Sequence, residues 1–468
     1  MKIHFWGAAQ TVTGSAHYIE VNGKKILLDC GLFQGRRKDT YRINTEFKFP
    51  PEEIDAVVLS HAHIDHSGNL PNLVKHGFDG PIYAQSATAH LADYMLRDSG
   101  HIQESDARFV NKWRLRKGKE PVEPLYTQND AEKAIQLFNK KSYDEEFEVA
   151  PGVIAKYFEA GHILGSAAIR LDIDEKGKKT RLWFSGDIGR SNLPILRDPV
   201  IPYDQNIDYL LMECTYGDRP HKSPDEAHKG LKDVIKKTIE AGGKVLIPAF
   251  AVGRTQELVY SIHRLMDSGD IPTVPVFVDS PLAVNVTDVF KAHPDCFDKE
   301  ALDMITNDKH RAALGFDSLT YIRDVEESKA LNERDEPMII ISTSGMMEAG
   351  RILHHLKNNI HDPKSTVLIV SWQAPHTLGR RLVEGLDEIK IFGKPYKRKI
   401  KVARVKGFSA HAGQNLLQEY AMTVKDTAKE VFLVHGEQRG ANGFREALNR
   451  NHGMDGLHFP SRGTTYEV

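Results

Sequence analysis

Apolar positions in the first 60 residues come in short β-rich runs, "KIHFW", "AHYIEV", "KKILLDCG" and "AVVLSH", separated by turn residues such as Asn22-Gly23. The pattern predicts a meander of strands. "SGNLPNLVKHG" then has helical spacing ending on Gly77, "PIYAQ" returns to strand, and residues 86–140 are mostly polar and helical. "GVIAKYFEAGH", "AAIRLDID" and "TRLWFSGDIG" resume the sheet. From about residue 216 the rhythm changes. Helical stretches such as "DEAHKGLKDVIKKTIEAGG" alternate with short apolar runs, "KVLIPAF", "VPVFVDSP", "PMIIISTSG" and "TVLIVSW", the signature of a parallel sheet buried on both faces. After about residue 380, "KIKVARVKGFSAH" and "EVFLVHGE" resemble the first rhythm again. The expected organisation is therefore α/β with an insertion: a domain over 1–215, a Rossmann-like inserted domain over 216–380, and completion of the first domain over 381–468.

Composition narrows the class without naming a chemistry. The 468 residues carry 62 Lys plus Arg against 64 Asp plus Glu, so a polyanionic substrate would have to meet a local basic surface. Three scattered cysteines, Cys30, Cys214 and Cys296, form no CxxC pair and suit a reducing, cytoplasmic compartment. No apolar stretch approaches the ~18 residues of a membrane span, and the N-terminus has no apolar signal core.

Candidate chemistry begins at "VVLSHAHIDHSGNLPNL", residues 57–73. Imidazole and carboxylate are ligands for zinc and related ions. In His61-x-His63-x-Asp65-His66, alternate residues of an extended segment project together, so His61 and His63 can reach one ion and Asp65 and His66, beyond the turn, a second. Distant ligands are expected at strand ends: His162 in "FEAGHILGS", Asp187 in "WFSGDIGR" and His411 in "KGFSAHAG", with Asp187 bridging through its two oxygens. Asp29, ending "KKILLDCG", suits a carboxylate that orients the loop from behind. Most of the 22 histidines, taken singly, are ordinary surface or core residues; the spacing is what distinguishes this group.

These residues resemble the pattern of the metallo-β-lactamase superfamily. "ECTYGDR", "IPAFAVGRTQEL", "DSPLA", "STSGMMEAGR", "TLGRRL", "GFSAHA" and "LVHGE" together resemble its β-CASP ribonucleases, such as the endonuclease of the cleavage and polyadenylation machinery and its bacterial and archaeal relatives. The resemblance covers the whole chain. It implies an αββα sandwich with an inserted β-CASP domain, one zinc on His61, His63 and His162, another on Asp65, His66 and His411, and Asp187 shared. It makes Asp29 the first motif and Glu213 the acidic residue opening the insertion. Where a relative has a histidine in "GTLxxH", this chain has Arg381, so His376 is the nearby candidate to act with Glu213 as the acid, and Asp65 and His411 complete the expected catalytic set. His435 is expected behind the metals or as a structural residue.

The implied reaction is hydrolysis of an RNA phosphodiester by a hydroxide held between two zinc or other divalent ions, leaving 5′-phosphate and 3′-hydroxyl ends. Single-stranded RNA is the expected partner, in endonucleolytic or 5′–3′ exonucleolytic mode, with a homodimer compatible. A DNA nuclease and a catalytically weak RNA-binding subunit are the alternatives. A small-molecule hydrolase is disfavoured by the insertion. Phosphate is expected at Ser344, Gly345, Arg254, Arg351 and Arg381, on loops that follow strands and precede helices. The run "NKWRLRKGK" places Trp113 among cations as a base-stacking candidate, whereas "KPYKRKIK" reads as a hairpin with a charged edge. With the first strand starting at Lys2 and the chain ending soon after "LVHGE", a minimal two-domain member is expected.

Overall fold

In the computed structural model, residues 1–35, 37–221, 223–306, 314–374 and 376–468 are described. They divide into two compact units: Met1–Ser191 with Asp198–Pro220 and Ala410–Val468, and Asn192–Arg197 with His221–Ser409.

The first unit holds two facing sheets. One orders its strands Thr464–Glu467, Lys2–Phe5, His17–Val21, Lys24–Leu28, Ala56–Val58, Ile82–Gln85 and Phe138–Lys141. The expected meander covers only the strands from Lys2 to Leu28; Ala56–Val58 and those after it run parallel. The second sheet orders Glu430–Val434, Tyr209–Glu213, Lys178–Phe184, Ala167–Glu175, Val153–Glu159 and Glu146–Ala150.

Side-chain alternation builds four layers from these sheets. On Lys24–Leu28, Ile26 and Leu28 enter the core between the sheets with Tyr157, Ile169, Leu182 and Phe184, while Leu27 packs outward against Leu70 and Leu73 of a covering helix. On the other sheet Trp183, Leu210, Met212 and Leu433 face outward onto Leu417, Tyr420, Phe444 and Leu448. The αββα arrangement is thus present. The helix Gln128–Gln136 starts on a capping box in which Thr127 and Asp130 satisfy each other's backbone.

The second unit is a six-stranded, all-parallel sheet ordered Leu319–Ile322, Val276–Asp279, Ile339–Ser342, Val245–Pro248, Thr366–Ile369 and Lys401–Arg404. In order of appearance the strands run 3-2-4-1-5-6, unlike the 3-2-1-4-5-6 order of dinucleotide-binding sheets, so the likeness to a Rossmann fold lies in layering and not in connectivity. Its helix Pro224–Glu240 shows how locally the elements are encoded. Ser223 accepts from the Glu226 N–H, Pro224 occupies the first turn, and Ala227, Leu231 and Ile235 bury one stripe.

The unit boundary differs from the expectation of a return at 381. Lys401–Arg404 pairs with Thr366–Ile369 and extends the inserted sheet, and the chain rejoins the first unit only at Ala410. "KPYKRKIK" does form a hairpin, Glu388–Ile391 with Lys394–Lys397.

Candidate metal centre

Strand ends of the sandwich deliver the candidate ligands. Asp29 follows Lys24–Leu28, His61 comes shortly after Ala56–Val58, His162 follows Val153–Glu159, Asp187 follows Lys178–Phe184, Glu213 ends its strand and His435 follows Glu430–Val434. The HxHxDH loop is held by backbone. Ser15, Cys30 and Leu32 donate their N–H groups to the carbonyls of Asp65, His66 and Ile64 at 2.7, 2.8 and 2.8 Å. Gly31 permits this approach, since a Cβ there would lie 1.6 Å from the Asp65 carbonyl oxygen. Gly189 does the same beside His162, where a Cβ would lie 1.9 Å from the Gly161 oxygen.

Among the described residues three groups of ligand atoms result, the third of which, Asp187, His411 and His435, overlaps the other two. His61 Nε2 and His162 Nε2 lie 3.1 and 3.2 Å from His63 Nδ1, and Asp187 Oδ2 is 3.5 and 3.4 Å from the same two Nε2 atoms. Donors bound at ~2.0–2.1 Å in a tetrahedron around zinc lie ~3.3 Å apart, so this spacing fits an ion at the centre. The second group joins Asp65, His66 and His435, with His435 Nε2 3.5 Å from Asp65 Oδ2. Asp187 Oδ1 faces it, 3.3 Å from His66 Nε2 and 3.4 Å from His435 Nδ1. The two oxygens of Asp187 therefore divide between the groups. His66 Nε2, His435 Nε2 and Asp187 Oδ1 are buried without hydrogen-bond partners, which a bound cation would satisfy.

Electrostatics follow the same division. Burial, reinforced by neighbouring imidazoles, holds His61 and His162 well below the ordinary histidine range, and burial lowers His63 to about 4. These are neutral rings, the form a metal needs. Burial alone would also lower His66, but Asp187 and Asp29 outweigh it and raise it well above its usual value. Asp187 is held low because His435, His66 and His411 outweigh the burial that would raise it. Asp29 acts on His66 from behind. It takes the His66 Nδ1 side at 2.7 Å, accepts from the Ser60 N–H at 2.8 Å and from the Ser15 and Ser60 hydroxyls at 3.0 Å, and leaves His66 Nε2 aimed at the site.

The expectation had grouped His411 with Asp65 and His66 and set His435 behind them. In the structure Asp65 and His66 group with His435, and His411 groups with His435 and Asp187. Glu430–Val434 pairs in parallel with Tyr209–Glu213, Glu213 opposite Val434, so the next residue, His435, emerges between the ligand groups. Its backbone is tied to the Ala8 carbonyl at 2.7 Å. His411 is pinned by a bridge to Gly189 and by Ala412 N–H to the Ile188 carbonyl at 2.7 Å. There its Nδ1 lies 3.1 Å from Glu213 Oε1 and 3.9 Å from Asp187. Burial would lower His411, but Glu213 and then Asp187 raise it to about 9. Direct emergence from a strand, as for His162 and Asp187, was the signal that could have found His435.

The remaining candidates lie in the second unit. His376 is exposed in a turn and Arg381 is half-buried in the helix Leu378–Val383. Ser344 serves its own loop, accepting from the Glu348 and Ala349 N–H groups at 3.1 and 3.3 Å, and the Gly345 carbonyl accepts from Gln373 at 2.9 Å. Arg254 is ion-paired to Glu257, and Arg351 to Asp279 at 2.6 Å. Two of the arginines expected to meet phosphate are thus already engaged.

Known proteins share this architecture. Residues 10–249 match the family model of the metallo-beta-lactamase superfamily, 255–382 that of the Beta-Casp domain, and 395–459 that of the Zn-dependent metallo-hydrolase RNA specificity domain. The chain belongs to the metallo-β-lactamase superfamily, in its β-CASP family. It is 36% identical over 444 residues to Ribonuclease TTHA0252 of Thermus thermophilus, covering 94% of both proteins. It is 31% identical over 472 residues to the transcription termination factor FttA of Thermococcus kodakarensis, covering 97% of this chain and 69% of that one. A solved protein of unknown function from Enterococcus faecalis shares the fold, with a TM-score of 0.57 at 13% identity over 100% of this chain and 99% of that one. The β-CASP chain is a metal-dependent enzyme of a nuclease family. Among the described residues no helix is long and apolar enough to cross a membrane.

Proposed function

We propose that this chain is a zinc-dependent ribonuclease that hydrolyses single-stranded RNA to 5′-phosphate and 3′-hydroxyl ends in the cytoplasm. The observation that carries the reading is the meeting of two buried ligand groups at Asp187, with the His411–Glu213 pair beside them. The likeness to a Thermus ribonuclease over 94% of both chains supports RNA as substrate, as does the match to an RNA specificity domain. The three buried cysteines, none of them in a disulfide among the described residues, suit the compartment.

His61, His63 and His162 would hold one ion, and Asp65, His66 and His435 the other, with Asp187 shared. Two such ions supply a water of lowered pKa and neutralise the scissile phosphate. Asp29 keeps the His66 Nδ1 proton and so fixes which nitrogen faces the site. Glu213 does the same for His411: with Nδ1 held by the carboxylate, Nε2 is the atom that hands a proton to the departing 3′ oxygen. The neighbouring Glu213 carboxylate favours the charged form of His411, so turnover should fall as pH rises far enough to deprotonate that ring.

The test compares two variants on end-labelled single-stranded RNA and DNA, with metal content measured by elemental analysis. His435→Ala should lose one of two bound metals. His411→Ala should keep both and lose ~10²–10⁴-fold in turnover, the usual worth of general acid help. Loss of a metal from His411→Ala instead would return that residue to the ligand set. DNA cut in preference to RNA, or no cleavage by the zinc-loaded wild type, would sink the ribonuclease reading.

A further inference from the structure

The helix Ser86–Arg116 begins beside the His162 loop, where Thr88 donates to the Gly165 carbonyl at 2.6 Å, and continues for 31 residues. Its buried residues all lie between Ala87 and Gly100. Beyond Gly100 the half-buried positions Gln103, Ala107, Val110, Asn111 and Arg114 share one face by helical spacing. That face is anchored by the returning chain: Asn111 exchanges two hydrogen bonds with Val122, and Arg114 donates to the Glu120 carbonyl at 2.6 Å. On the opposite face, at i, i+7 and i+11, stand Ile102, Phe109 and Trp113, which are 49%, 77% and 54% exposed. An amphipathic helix normally turns such side chains inward. Here the apolar stripe is the solvent face.

Charge decides the occupant. Residues 107–119 contain six cations, Arg108, Lys112, Arg114, Arg116, Lys117 and Lys119, and no carboxylate. Among the described residues none of the six forms an ion pair, and Lys117 Nζ lies 4.1 Å from the Trp113 ring centre. Lysine is depleted in the cores of protein interfaces, whereas cations around exposed aromatic rings are how proteins grip single strands: phosphates meet the charges and bases stack on the rings. We infer that the outer half of this helix is a second RNA-binding surface, on which Phe109 and Trp113 stack bases of the substrate strand while Lys112 and Arg116 hold its phosphates. The inference rests on the RNA reading above. At ~1.5 Å per residue, Trp113 stands ~37 Å down the helix from Thr88, so only a long strand can occupy the metal centre and this surface together.

The experiment measures affinity of the full, metal-loaded chain for a long phosphorothioate oligouridylate, and turnover of a uridine dinucleotide. Phe109→Ala/Trp113→Ala should weaken oligouridylate binding about tenfold or more and leave dinucleotide turnover unchanged. Trp113→Phe should retain most of the affinity; Trp113→Leu, which keeps apolar area but not a ring, should lose it. Lys112→Gln/Arg116→Gln should reduce the slope of log affinity against log salt by roughly 0.7 per cation removed. Unchanged RNA affinity in the aromatic variants overturns the inference, and a change in their sedimentation with RNA affinity intact would assign the face to a second copy. A wild-type chain that binds RNA through this helix but cleaves none would instead count against the ribonuclease reading alone.

Discussion

Each unit buries an aspartate among basic side chains, and the two clusters end differently. In the inserted unit Asp279 is closed: Oδ1 accepts from Arg351 at 2.6 Å, and Oδ2 from Ser328 at 2.5 Å with His355 Nε2 at 2.6 Å. His355 turns its other nitrogen to Asn332 at 3.0 Å, and Arg351 gives a further N–H to the Arg323 carbonyl at 2.7 Å. In the sandwich Asp187 is open. Imidazole nitrogens surround it at 3.3 to 3.9 Å, most beyond good hydrogen-bond reach, and Oδ1 has no partner. Burying unpaired polar atoms costs free energy that a protein recovers only when something fills the gap. The closed cluster is scaffold, holding the loop that carries Arg351; the open one is built for guests.

The largest effect should come from emptying the open cluster. Asp187→Ala removes the carboxylate shared by both ligand groups, so elemental analysis should find metal lost and RNA cleavage abolished. Retention of both would erase the contrast. The matching change in the closed cluster, Asp279→Ala, leaves the half-buried Arg351 without its counter-charge and the buried His355 Nε2 without its partner. It should cost ~3–5 kcal/mol in urea unfolding, with metal content unchanged. Asp29→Ala should be milder. Its carboxylate lies behind His66, and metal affinity by competition with a chelator should fall ~10–100-fold.

A smaller, pH-dependent effect belongs to His17, buried beside Phe5 and Phe184 with neither ring nitrogen partnered. Burial, then His66 and His435, lowers it to about 3. Below its ordinary ~6.5 the unfolded chain takes up a proton that the folded chain refuses, so stability drains as pH falls from there towards about 3, by up to ~1.4 kcal/mol per pH unit. His17→Leu should flatten that acid limb in chemical denaturation, and an unchanged limb would show that His17 contributes none of it.

Much of the site is legible along the chain because its geometry is local. In HxHxDH the alternation of an extended segment and the following turn decide which side chains project together, and Asp29, His162 and Asp187 stand directly beyond apolar runs that could only be strands. The insertion is legible in the change of rhythm near 216, whereas the four layers are what the resemblance to the metallo-β-lactamase superfamily implies. The phosphate loops are legible as strand-to-helix turns, but that Arg351 is committed to Asp279 is not, because Asp279 is 72 residues away.

What the amino-acid sequence determined by itself, then, was the kind of chemistry, the ligand loop and the two-unit plan, since each is written in neighbours within a few residues of one another. Tertiary structure decided three things: that Lys401–Arg404 extends the inserted sheet, that this sheet runs 3-2-4-1-5-6, and that His435 stands with Asp65 and His66 while His411 stands with Asp187, His435 and Glu213. All three depend on which strand lies beside which. Glu430–Val434 could have carried its histidine elsewhere, and only its pairing with Tyr209–Glu213 brings His435 to the ligand groups and leaves His411 facing Glu213.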